Sequence, residues 1–192
     1  MSTFAMHVAK TGLNSQQVKM QVIANNLANV NTTGFKSDRA NFESLLYQIL
    51  RGAGENTSEN TSLTSGLSVG TGTRLLNTNK LFTQGSLIDT GNSLDMSVEG
   101  DGFFQVLMPD GRIGYTRSGA FSRNAEGVVT TASGYPLQPE IQIPADATSI
   151  NVSSDGIVTV QMPGGVDAEE VGQITLADFP NKQGLQPNGE SM

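Results

Sequence analysis

The chain has 192 residues, no Cys, no Trp, 22 Gly and a formal net charge of −7 at pH 7. That length supports one good core, or one domain with an appendage. Zero Cys excludes disulfides, thiol catalysis and Cys-ligated zinc, and an acidic balance argues against a nucleic-acid surface, which needs clustered Lys and Arg. The excess acid falls beyond residue 50, because Lys10, Lys19, Lys36 and Arg39 outnumber Asp38 and Glu43 before it; it reads as solvated charge that favours solubility. The opening MSTFAMHVAK has no basic n-region, continuous apolar core or small-residue cleavage site, so it does not read as a cleaved signal peptide. No stretch approaches the ~20 apolar residues of a membrane-spanning helix, so no membrane insertion is expected.

Residues 3–30 are helical by pattern. Met6, Ala9, Leu13, Gln16, Met20, Ile23, Leu27 and Val30 recur at alternating steps of three and four, a heptad seam with Gln16 as its one polar insertion. A second line of Phe4, Val8, Thr11, Ser15, Val18 and Val22 runs beside it, which makes the apolar face broader than a two-stranded seam requires. Lys10, Asn14, Gln17, Lys19 and Gln21 form the rear, and Gly12 costs ~1 kcal/mol against Ala. At ~1.5 Å per residue such a helix is roughly 40 Å long. A buried domain helix can share this pattern, but the rest of the chain reads as β. The helix is therefore expected to be an assembly element whose stripe neighbouring copies cover.

Asn25, Asn26, Asn29 and Asn31 cluster at the helix end. One reading is fraying and C-capping, with Gly34 in a left-handed turn. The other is an array of amides that bond neighbouring subunits, and the interleaving of the four Asn with Leu27 and Val30 favours it. A short second helix is expected over residues 38–50, with Asp38 as N-cap and Phe42, Leu45, Leu46 and Ile49 on its apolar face. Residues 51–66, RGAGENTSENTSLTSG, are polar and repetitive, and read as a linker, an extended arm or a loop that orders on contact. The sequons at Asn31, Asn56, Asn60 and Asn151 are frequent by chance in such composition.

From about Leu67 the period changes to two. Leu94, Met96 and Val98 alternate, as do Phe104, Val106 and Met108. PDGR at 109–112 is a turn into IGYTR, RNAEG at 123–127 is flanked by two strand candidates, and SSDG at 153–156 joins SINV to IVTVQM. VGQITLADF at 171–179 is a further strand candidate. Short strands with Gly and Pro at the turns describe an antiparallel β domain, barrel-like or sandwich-like. The expected class is α+β: a helical assembly domain over residues 1–33, a linker with a short helix and polar extension over 34–70, and a β-rich domain over 71–192.

Reactive chemistry is sparse. His7 is a lone His on the long helix and makes no zinc site without other ligands. No GxSxG is present, and GTG at 70–72 and GDG at 100–102 read as tight turns, with no GK[ST] following. Asp101, Asp110 and Asp155 sit beside Gly in turns without calcium-loop spacing. No catalytic, cofactor-binding or metal residue is expected.

ANNLANVNTTGFK at 24–36, DRANFESLLYQ at 38–48, GDGFFQV at 100–106, YTRSGAF at 115–121 and GVVTTASGYPLQP at 127–139 together resemble the bacterial flagellar basal-body rod and hook family, most of all its distal rod members. The resemblance runs through nearly the whole chain. It implies a structural subunit, not an enzyme, that needs no cofactor and polymerises into a hollow helical tube, the drive shaft and wall of an export channel. Expected partners are copies of itself, other rod and hook subunits, the basal-body ring proteins and the flagellar type III export apparatus, which passes subunits without a cleaved signal; the expected place is the rod crossing the periplasm to the outer membrane. Met6, Leu13, Met20, Ile23, Leu27 and Val30 would then pack against neighbouring helices. Asn25, Asn26 and Asn29 would satisfy polar groups in that layer, while Gly34 and Phe35 would turn the chain outward. The resemblance also implies that residues 51–66 hold the tube straight.

Family members end in a heptad-patterned C-terminal helix, whereas this chain stops at GLQPNGESM, so a fragment or truncated product is expected, with residues 1–30 mobile or aberrantly packed in the isolated monomer. The rival readings are a proximal rod or hook subunit and, from another class, a secreted β-domain adhesin or binding module with an oligomerisation helix.

Overall fold

A computed structural model describes residues 2–53, 56–58, 61–62, 64–164 and 168–189, which divide into two compact units. The first comprises Met1–Asn29 and Ser37–Leu81, the second Val30–Lys36 and Phe82–Met192. The α+β class holds, with one long helix and antiparallel strands.

In the first unit α1 (Ser2–Ala28) runs for 27 residues. Strand β1 (Asp38–Ser44) pairs with β6 (Thr73–Lys80), from Asp38 opposite Lys80 to Ser44 opposite Thr73, with a bulge between Asn41 and Phe42. Beyond it β2 (Tyr47–Arg51) pairs with β5 (Leu67–Gly70), and β3 (Asn56–Ser58) pairs with β4 (Thr61–Ser62). These ladders form one long antiparallel hairpin. Within the polar arm expected over 51–66, residues 54–55, 59–60 and 63, with the sequon at Asn60, lie outside the described residues.

The short helix expected over 38–50 is instead β1 and β2. Its apolar residues fit a helical stripe, but their backbone groups find partners in the strands of 67–80, and such long-range pairing overrides a weak local preference. Asp38 is no N-cap: its carboxylate lies 3.2 Å from Lys80 Nζ.

Helix α1 lies against β1 and β6. The line of Phe4, Val8, Thr11, Ser15, Val18 and Val22 is half-buried. Polar groups fasten the helix at two points. The Ser15 and Thr73 hydroxyls are 2.8 Å apart, and the Thr73 N–H donates to Thr11 Oγ1 at 3.4 Å. Nearer the helix end, Asn26 Nδ2 donates to the Asp38 carbonyl at 2.8 Å and Asn26 Oδ1 accepts the Asp38 N–H at 2.9 Å. The spacings agree, since Ser15 to Asn26 spans ~17 Å of helix and Asp38 to Ser44 spans ~20 Å of strand.

The second unit is built around β7 (Phe103–Leu107). Strand β8 (Ile113–Thr116) pairs along one side of it, and β11 (Leu137–Gln138) and β15 (Leu176–Ala177) along the other. A hairpin of β9 (Phe121–Arg123) and β10 (Val129–Thr131) and a meander of β12 (Ser149–Val152), β13 (Ile157–Gln161) and β14 (Ala168–Gln173) complete it. Phe104, Val106, Phe121, Val129, Leu137, Ile141, Ile143, Val158 and Val160 form the buried core, where the Phe104 and Phe121 rings meet edge to face at 5.1 Å.

The expected turns fall in place: Gly111 N–H donates to the Met108 carbonyl, Gly127 to Asn124 and Gly156 to Ser153, each between paired strands. Two strand expectations change. Leu94, Met96 and Val98 belong to no strand; Asp95 alone bridges to Ala120, and the Met96 N–H donates to the Gly119 carbonyl at 2.9 Å. Residues 171–179 divide into the end of β14 and β15, because buried Ile174 leaves the ladder to donate its N–H to Gly156.

Candidate assembly surface

The second apolar line of α1 is engaged by its own hairpin, while the heptad seam is not. Met6 and Leu13 are 71% and 72% exposed, and Met20, Ile23 and Leu27 are exposed along the same helix. Val30, in the turn beyond, is exposed as well. Each such side chain would contribute about 1.5–3 kcal/mol on full burial, so the stripe is a large reserve of unspent hydrophobic free energy.

The asparagines separate by role. Asn26 gives both ends of its amide to Asp38, within its own chain. Asn29 Nδ2 donates to the Asn25 carbonyl at 2.9 Å and to Asn25 Oδ1 at 3.2 Å, as part of the helix end. Within its own chain Asn26 thus acts as a clasp between helix and strand, using one N–H and one oxygen lone pair of its amide. Replacing Asn26 with Ala is expected to destabilise the chain by about 1–3 kcal/mol, because the Asp38 backbone loses both partners. Calorimetry of the two proteins checks it.

Gly34 and Phe35 lie in the turn segment Val30–Lys36, which is part of the second unit. Gly34 has φ 73°, and a Cβ there would overlap the Arg117–Ser118 backbone, so only Gly fits. Thr33 Oγ1 and Ser118 Oγ are 3.2 Å apart, and Lys36 Nζ donates to the Thr83 carbonyl at 2.9 Å. Burial first, and the Arg117 guanidinium second, hold Lys36 below its ordinary pKa. Phe35 is half-buried, with its N–H on the Thr32 carbonyl.

The motifs of the β unit act on one another. Arg117 of YTRSGAF donates to the Gly100 carbonyl at 2.7 Å and to the Val98 carbonyl at 3.4 Å, and its guanidinium lies 5.2 Å from the Phe103 ring centre. Asp101 pairs with Lys182, which holds its carboxyl below the usual carboxylate range. These contacts tie GDGFF to YTR as structural fastenings.

Sequence reading missed the apolar flanks of the polar arm. Leu46, Tyr47, Ile49, Leu50 and Leu67 are all exposed along the outer hairpin, Leu46 at 87%. A two-stranded ribbon is marginal alone, and bare apolar side chains along it mark a candidate contact surface. The alternation of Tyr47, Ile49 and Arg51 was the available signal. Among the described residues no helix is long and apolar enough to cross a membrane, and no three His, Asp or Glu gather as a metal-holding group.

Two family models match the chain: "Flagella basal body rod protein" over residues 6–36, and "Flagellar hook protein FlgE/F/G D1 domain" over residues 97–160. The flagellar basal-body rod protein FlgG of Buchnera aphidicola subsp. Schizaphis graminum is 48% identical over 188 residues, covering 98% of this chain and 72% of the relative. The chain belongs to the flagellar basal-body rod protein FlgG family. FlgG of Agrobacterium fabrum is 42% identical over 98% of this chain and 72% of its own length. The flagellar hook protein FlgE of Helicobacter mustelae is 39% identical but shares only 67% of this chain and 28% of its own length. As a FlgG-family member the chain is a structural protein of the basal-body rod. The two model matches fall on the helix with its following turn and on the strands around β7, and the long hairpin lies between them.

Proposed function

We propose that this chain polymerises with copies of itself into the hollow helical distal rod, as drive shaft and wall of the export channel, and has no enzymatic activity. The observation that carries this is the division of α1 into two faces: one held by the chain's own hairpin, the other a bare heptad seam. An open helical polymer needs heterologous, non-closing contacts, and the seam together with the exposed outer hairpin supplies unlike surfaces for them. The hairpin arm occupies the place where the family resemblance puts the segment that keeps the rod straight. Related rod and hook subunits, basal-body ring proteins and the flagellar type III export apparatus are its partners in this reading. Its place is the rod crossing the periplasm to the outer membrane, reached without a cleaved signal.

Deletion of residues 2–28 tests the proposal against an adhesin-like module. A rod subunit loses polymerisation, and cells depending on it stop swimming. Retained rods and motility, with the β unit binding a ligand by itself, would overturn the reading.

A further inference from the structure

One line of α1 carries two thioethers. Met6, Leu13, Met20 and Leu27 stand seven residues apart and so share one heptad position. Met6 is 71% and Met20 63% exposed. With seven Met and no Cys, thioethers are the only sulfur in the chain and its most readily oxidised groups. Met96, Met108 and Met162 are half-buried, Met96 against the core.

We propose that Met6 and Met20 form a reversible oxidation site that decides whether a free subunit joins the rod; this rests on the reading of the seam as a subunit interface. The oxidant is a hydroperoxide such as hydrogen peroxide. The thioether lone pair attacks one peroxide oxygen, the S–O bond forms as the O–O bond breaks, and the departing hydroxide takes the proton from the transferred oxygen and leaves as water. Sulfur loses two electrons and the peroxide gains them. A dithiol reductant of the methionine sulfoxide reductase class reverses the change: the sulfoxide oxygen leaves as water and the two thiols become a disulfide. The sulfoxide replaces an adaptable apolar side chain with a strong, fixed dipole. Along the seam Met6 has only Ala9 and Leu13 beside it, which offer no side-chain donor, whereas Met20 has Leu13, Ile23 and Leu27 and, one turn away, the amide of Gln16. Burying the dipole against a neighbouring helix leaves it unsatisfied at Met6, leaves it at Met20 dependent on the one Gln16 amide, and so opposes assembly. Once covered in the polymer, both sulfurs are out of reach, so the site senses free subunits alone.

The test pulses bacteria with hydrogen peroxide while the chain is being made, then compares sulfoxide at Met6 and Met20, by peptide mass spectrometry, in free subunits and in isolated basal bodies. About tenfold enrichment in the free pool is expected from the cost of burying the dipole. A second strain carries Met6→Gln with Met20→Gln, whose side-chain amides imitate the sulfoxide's polarity without oxidation, and is expected to lose at least about tenfold in complete rods per cell for the same reason. Equal sulfoxide in rods and free pool, no sulfoxide at either site, or normal rods in the Gln strain would each overturn the proposal. Leu13→Glu separates the two readings. If it builds no rods while the Gln strain builds them, only the oxidation site has failed; if it also builds them, the interface reading has failed and takes this one with it.

Discussion

Leu13→Glu is expected to abolish rod formation and swimming while moving the melting temperature of the isolated chain by less than about 2 °C. Leu13 is 72% exposed in the middle of α1, and nothing among the described residues depends on its burial. Glu forms helix nearly as well as Leu, and surface replacements of this kind usually fall within about 0.5 kcal/mol. In the rod proposed above, a neighbouring helix would cover the same position. There an unpaired carboxylate costs several kcal/mol, and every subunit along the polymer bears that cost again. Electron microscopy of basal bodies, motility assays and calorimetry read the two effects separately. The contrasting variant is Val22→Glu, on the half-buried line that faces the hairpin, which should lower the melting temperature as well. A Leu13→Glu chain that unfolds easily, or one that still builds rods, would contradict the assignment of the seam.

The second large effect is on stability. Gly119→Ala is expected to destabilise the β unit by about 3–5 kcal/mol, a fall of roughly 15–25 °C in melting temperature, measured by calorimetry. Gly119 is buried, its carbonyl accepts the Met96 N–H at 2.9 Å, and a Cβ at this position would fall on the Met96 carbonyl oxygen. The obstacle is backbone, so no rotamer change relieves it, and the Phe104 ring closes the other side at 3.4 Å. Either the segment of 94–98 detaches, taking Leu94 and Val98 out of the core, or the core around Phe104 gives way. A melting temperature within a few degrees of wild type would show that this segment can move aside cheaply.

Much of the fold was legible because its signals are local. The two apolar lines of α1 could be told apart by spacing alone, and the structure gives each a different environment. The turns at PDGR, RNAEG and SSDG were marked by residues that favour them chemically. What failed was set by distant partners. The segment 38–50 becomes strand because residues 67–80 offer it a ladder, and nothing within 38–50 announces them. Leu94 and Val98 were correctly read as apolar in alternation, yet they reach the core from a loop held by a single bridge and by the carbonyl of Gly119. In the candidate surface, the exposed seam follows from period, whereas the inward commitment of Asn26 depends on the position of Asp38. Composition alone could not reveal that amide's partner.

The two fastenings between α1 and its hairpin have a further consequence. A helix repeats its faces every ~5.4 Å, while a strand returns to the same face every ~6.8 Å. If α1 slid by one turn, the clasp at Asn26 and the hydroxyl contacts at Thr11 and Ser15 would both miss their partners, and no single-step slip of the strand would bring them back. The pair acts as a vernier, with one permitted phase between seam and arm. In the proposed rod every copy would therefore bring the same offset between the two surfaces.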